Sequence, residues 1–136
     1  QSEYWTARFA GILFVLGHST KAAQLIRLCA ESTDHSRWLL RFAILFSRYG
    51  FLKETDWILK KLDKNVSDPF SSIKQIELGH ACGHSQDLLL DALRNIISFH
   101  SSDPVVGIEV AKIAAKTGAF EILQETRQTF FFGCSN

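Results

Sequence analysis

The sequence has no methionine, two prolines (Pro69 and Pro104) and three cysteines (Cys29, Cys82 and Cys134). Three cysteines are odd in number and widely scattered, which excludes a disulfide framework and predicts a reducing, intracellular setting. The longest apolar run, Phe9 to Leu16, is eight residues, well short of the roughly 20 that a membrane-spanning helix needs. No secretory or transit segment is recognisable. Fifteen Lys and Arg against fourteen Asp and Glu leave a net charge of +1, so the basic footprint of a dedicated nucleic-acid binder is missing. No segment alternates with period two, which argues against strands. There is no Walker loop, Gly-rich phosphate cradle or nucleophile elbow. The expectation is therefore a protein without catalytic residues, cofactor or metal. A chain that opens on Gln1 and has no methionine is further expected to be an excised or processed piece of a longer polypeptide.

What the sequence does have is a period. Gly17, Gly50, Gly83 and Gly118 lie 33, 33 and 35 residues apart. Asp34, Asp68 and Asp103 keep step at 34 and 35, the last two inside the repeated phrases Ser67-Asp68-Pro69 and Ser102-Asp103-Pro104. Two markers at one period of about 34 residues indicate stacked helical hairpins. Hydrophobic residues at 46% and charged ones at 21% suit a packed globular array and exclude disorder. The reading is all-α, one domain over residues 1–136, four helix-turn-helix units.

Each unit has a first helix, a glycine turn where positive φ is cheapest without a Cβ, and a second helix. The first unit places Trp5, Phe9, Ala10, Leu13 and Leu16, then Ala22, Leu25, Ile26 and Cys29 on apolar faces, with Ser19 or Thr20 as cap. The second opens at an Asp34 cap and places Trp38, Leu39, Phe42, Ala43 and Phe46, then Leu52, Thr55, Ile58, Leu59 and Leu62; Lys60, Lys61 and Lys64 close it. The third and fourth open with Asp at the cap and Pro at the first helical position, where the missing amide costs nothing. The third places Ile73, Ile76 and His80, then Leu89, Ala92, Leu93 and Ile96. The fourth places Val106, Val110, Ala111, Ile113 and Ala114, then Phe120, Leu123 and Phe130. Gly79 weakens the first helix of the third unit by about 1 kcal/mol.

The period, the paired helices and the glycine turn resemble the tetratricopeptide-repeat (TPR) family across essentially the whole chain. Ala10, Ala43 and Ala111, seven before their glycines, stand where that family keeps a small residue for close helix approach; Ile76 stands there in the third unit. The resemblance implies a right-handed α-solenoid whose first helices line a concave groove for a protein segment. It further implies that Arg41 and Lys74 match two positions of the family's carboxylate clamp, with Ala7, Gly11 and Phe70 at the other three. The related RNA-reading repeats use a polar residue ten before the glycine. Here that column is Ala7, Leu40, Ile73 and Ile108, and apolar side chains cannot read a base edge.

Nine before the glycines stand Arg8, Arg41, Lys74 and Glu109. This largely basic column is the candidate site for an acidic or amphipathic partner segment, since guanidinium and ammonium groups bind carboxylates through charge-assisted hydrogen bonds. By register Tyr4, Phe14, Arg37, Ser47, Arg48, Glu77, Lys112 and Lys116 share that face. Glu77, His80, Cys82 and His84 carry metal-ligand chemistry, but Gly83 ends the helix before His84 and no second ligand pair is spaced to join them. The terminal run Phe130, Phe131 and Phe132 needs cover, from its own unit, a further helix or another chain. Function is thus expected as a non-catalytic interaction or scaffold module in an intracellular complex. Two alternatives stay open. One is a nucleic-acid-associated module contacting phosphates through Arg8, Arg41, Lys74, Arg48, Lys112 and Lys116; the other is a regulatory array docking in cis.

Overall fold

The computed structural model describes residues 2–62 and 68–131. Among them the chain forms eight helices and no strand: α1 (Ser2–Val15), α2 (Ser19–Ser32), α3 (Ser36–Arg48), α4 (Leu52–Lys61), α5 (Pro69–Ala81), α6 (Gln86–Phe99), α7 (Pro104–Thr117) and α8 (Phe120–Phe130). They fall into two compact units, α1–α4 and α5–α8. In the first, α1 packs on α2 and α3 on α4, and α1 and α2 both meet α3. In the second, α5 packs on α6 and α7 on α8, α5 and α6 both meet α7, and α6 meets α8.

The four periodic glycines make the four hairpin turns. Gly17, Gly50, Gly83 and Gly118 have φ of 87°, 83°, 86° and 78°, a left-handed conformation that a Cβ would strain. In every turn the residue after glycine donates its amide to the carbonyl five residues earlier: His18 to Leu13 (2.8 Å), Phe51 to Phe46 (2.9 Å), His84 to Gly79 (3.0 Å) and Ala119 to Ala114 (2.9 Å). This is the six-to-one bond of a Schellman closure, which satisfies a carbonyl that the helix end leaves free.

Two of the expected caps form. Asp68 accepts from the Phe70 amide and Asp103 from the Val105 amide, both at 3.0 Å, each just ahead of a proline at the first helical position. Ser85 caps α6 by accepting from the Leu88 amide at 3.3 Å. The Asp34 cap does not form. α3 begins one residue later, after His35, and the His35 amide is taken by Thr33 Oγ1 at 3.2 Å. Ser19 and Thr20 are already helical, and His18 precedes them without a side-chain cap bond. Lys60 and Lys61 fall in the last turn of α4 as expected; Lys64 lies outside the described residues. α5 runs unbroken through Gly79, which is buried. A Cβ there would come within 2.7 Å of His84 Nδ1, so the missing side chain makes room for the turn imidazole.

Each unit has its own core. The first buries Ala10, Phe14, Ala22, Ile26, Leu39, Phe42, Ala43, Phe46, Ile58 and Leu62. Thr55 is buried among them because its hydroxyl donates to the Phe51 carbonyl at 2.8 Å. The second buries Ile73, Leu89, Leu93, Ile96, Ile97, Val106, Val110, Ile113, Ala114, Ala119 and Ile122 as one cluster. Trp5, Phe9, Leu16, Leu52 and Phe120, expected inside, are exposed, as is His80. In α1 the inward face belongs to Ala10 and Phe14, and the outward residues include Trp5, Phe9, Ile12 and Leu16, spaced four, three and four apart. In α8 the buried positions Ile122 and Thr126 leave Phe120 off the inward face. Ala111 is only half-buried; Gly107 and Ala114 are the small buried residues of α7.

Candidate partner-binding surfaces

In the first unit, α1 and α3 bring two arginines and two aromatic rings into one run. Arg8 Nη1 donates to the Tyr4 hydroxyl at 3.0 Å, and Arg8 Cζ lies 5.7 Å from the Tyr4 ring centroid. Tyr4 meets Trp38 edge-on at 6.2 Å, and Arg41 Cζ lies 5.2 Å from the Trp38 centroid. The order Arg8, Tyr4, Trp38, Arg41 is built by helical spacing, since Tyr4 and Arg8 are four apart and Trp38 and Arg41 three apart. The rings hold each guanidinium by cation–π attraction, and apart from the Arg8 bond to Tyr4 its N–H donors are left to other acceptors. Arg37 and Arg48 are exposed on α3. Among the described residues none of these four arginines lies within ion-pair distance of a carboxylate.

Trp38 is the member that sequence reasoning missed, because its place in the apolar pattern assigned it to the core. It is half-buried and makes the aromatic link between the two arginines. An aromatic three residues before an arginine on one helix was the available signal. Phe14, expected on the groove face, is buried and stacked on Tyr49 with centroids 4.2 Å apart and planes 2° from parallel.

The basic residues of the second unit are differently placed. Lys74 Nζ lies 3.1 Å from Glu77 Oε1, and Lys116 Nζ 2.8 Å from Glu77 Oε2. Glu77 therefore joins α5 to α7 with one lysine on each oxygen. Its burial pushes the carboxyl pKa up, but the hydrogen bonds from Lys116 and Lys74 outweigh this and hold it below the ordinary value. The same bond to Glu77 raises the Lys116 ammonium. Lys112 pairs with Glu109 at 3.0 Å. On the opposite pair of helices, Arg94 bonds Glu125 through Nε and Nη2 at 3.0 and 2.9 Å and reaches Glu121 at 3.4 Å, tying α6 to α8.

Of the terminal phenylalanines, Phe130 turns back onto α7. It packs against the second core cluster, and its Cγ occupies a point 2.5 Å from where a Gly107 Cβ would stand. Phe131 is half-buried, with its ring 6.2 Å from that of Phe130. Phe132 lies outside the described residues.

An open polar depression of about 500 Å³ lies among Glu3, Cys29, Thr33 and His35. There Glu3 accepts from the Thr33 hydroxyl at 2.8 Å; its own backbone amide and that bond keep its carboxyl below the ordinary value. The depression includes none of the candidate partner-binding residues. Among the described residues no group of His, Cys, Asp and Glu is arranged to hold a metal ion, and no helix is long and apolar enough to cross a membrane. Fold and surfaces together define an all-helical protein of neighbouring paired helices. Comparison with family models, curated proteins and solved structures finds nothing that matches this chain.

Proposed function

We propose that this chain is a non-catalytic protein-interaction module, a TPR-like right-handed solenoid of four helical hairpins that holds an acidic or amphipathic segment of a partner within a larger assembly. The repeat reading is supported by the identical closure of all four glycine turns. The binding reading rests on one observation: the Arg8, Tyr4, Trp38, Arg41 run, whose cations are oriented by rings and face no carboxylate among the described residues. Tyr, Trp and Arg are the residue types that dominate binding energy at protein interfaces. A carboxylate arriving there takes up donors that are already positioned, so it gains charge-assisted hydrogen bonds without first breaking an internal ion pair. In the second unit Glu77 already engages Lys74 and Lys116 and offsets their charge, so an incoming acid gains less from them.

Fluorescence anisotropy with a labelled peptide of mixed Glu and Leu tests this reading, beside a mixed-sequence single-stranded oligonucleotide. The peptide should bind, and changing both Arg8 and Arg41 to Glu should weaken it by roughly tenfold or more. Changing Lys74 to Glu should matter less. Oligonucleotide binding with a steep salt slope, and no peptide binding, would replace this reading with phosphate contact.

A further inference from the structure

α1 is apolar on two sides. Ala10 and Phe14 point into the first unit, while Trp5 (66% exposed), Phe9 (55%), Ile12 (53%) and Leu16 (66%) form an outward stripe. A helix hydrophobic all round is normally covered all round, and a bare stripe of this kind marks an association surface. The repeat says what kind of surface covers it. Thirty-three residues on, the stripe maps to Trp38, Phe42, Leu45 and Tyr49 of α3. That is the face α1 itself covers: Tyr4 sits edge-on to Trp38, Phe14 stacks on Tyr49, and Phe42 is fully buried. The α1 stripe thus holds the register of a receiving face, and it is exposed among the described residues.

The second unit offers the matching half. Ile73 of α5 is buried in the cluster with Val106 and Val110 of α7. Its equivalent on α7, ten before Gly118, is Ile108, which is 47% exposed, beside Val105 at 55%. Val105 and Ile108 hold the register positions of Tyr4 and Ala7 on α1, on the helix that covers α3. Charge agrees. Residues 1–63 carry nine Lys and Arg against six Asp and Glu, and residues 64–136 carry six against eight, giving +3 and −2. The column nine before each glycine ends in its single acid, Glu109, and begins with Arg8. Continued from one copy into the next, it sets Glu109, which also pairs with Lys112 at 3.0 Å, beside Arg8.

We infer that two copies of this chain associate head to tail, the Val105/Ile108 face of α7 in one copy seated on the Trp5–Leu16 stripe of α1 in the next. The contact repeats, between copies, the register by which α1 meets α3 inside the first unit. It is heterologous, so it joins copies into a ring where the rotation closes and into an open chain where it does not. This inference shares Arg8 with the proposed peptide face but rests on the apolar stripe, which that face does not use.

Light scattering coupled to size exclusion, over a concentration series of the whole chain, tests it. The mass should rise with concentration above that of the monomer. A head-blocked variant (Phe9→Glu with Ile12→Glu) and a tail-blocked variant (Val105→Glu with Ile108→Glu) should each be monomeric. Mixed one to one, they should form a dimer and stop there, because each supplies the face the other lacks. All four positions are exposed, and circular dichroism checks that both variants keep their helices. A wild-type chain that stays monomeric at its highest soluble concentration overturns the inference and leaves the stripe to a different helix. So does an association that survives either block.

Discussion

Gly107 has no side chain, and the ring of Phe130 fills the space that one would need. Alanine there would gain about 1 kcal/mol in helix propensity, but its methyl would meet the Cβ as well as the Cγ of Phe130, atoms too close to the backbone to swing aside. Overpacking of this kind costs about 1–3 kcal/mol. Gly107→Ala should therefore lower stability by about 1 kcal/mol in the wild type and be neutral or stabilising in a Phe130→Ala background, read by urea unfolding of the four-variant cycle. The turn glycines contrast with this. No atom crowds Gly50, yet its φ of 83° strains any Cβ, so Gly50→Ala should cost roughly 1 kcal/mol through the backbone alone. That requirement was legible in the sequence, because only glycine meets it cheaply and it recurs with the period. The need at Gly107 was not, since it arises from a ring 23 residues away. Asp34 shows the limit of cap reading: Asp68 and Asp103 are each followed by a proline at the first helical position, whereas Asp34 has none and α3 starts one residue later, with His35 at the cap position.

Among helices, the pattern was most readable where one face is apolar and least where two are. α1 misled because Trp5, Phe9 and Leu16 satisfy helical spacing as well as Ala10 and Phe14 do, and spacing alone does not say which side meets α3. The same limit hid Trp38, whose role depends on Tyr4 arriving from another helix. Lys74 was legible in the basic column and Lys116 on the same face, but their occupation was not, because Glu77 reaches Lys116 across 39 residues. That link predicts a pH response. Glu77 has a depressed folded pKa, so its stabilisation is present above the unfolded value of about 4.3 and is lost as pH falls through the lower folded value. Thermal midpoints measured downward from pH 5 should fall in the wild type and fall less in Glu77→Gln. Near pH 7 the same substitution should cost at most about 1 kcal/mol, since both lysines are substantially solvated and such pairs are weak. Lys116 contributes with the opposite sign: its raised pKa keeps the pair intact below the unfolded lysine value of about 10.4, and the contribution is lost as pH rises through the higher folded value.

For the whole chain, the uneven charge of its two halves separates the two proposed contacts experimentally. Peptide capture by Arg8 and Arg41 is an exposed electrostatic contact, so it should weaken several-fold as salt shortens the screening length from roughly 10 Å at 0.1 M to 3 Å at 1 M. Self-association through the Trp5–Leu16 stripe is mainly apolar and should persist at high salt, losing only the part due to Glu109 and Arg8. Anisotropy and scattering, repeated across one salt series, measure both. The helical class and its period were legible at this scale because they depend on repetition; what meets the Trp5–Leu16 stripe was not, because the repeat assigns those residues a face without naming what packs on it. The turn closures carry one more consequence. Every hairpin is closed by an amide and a carbonyl five residues apart, so no helix pair waits for a distant segment before it can form. Such local topologies refold in microseconds to milliseconds, and a nascent chain can complete each hairpin as it leaves the ribosome.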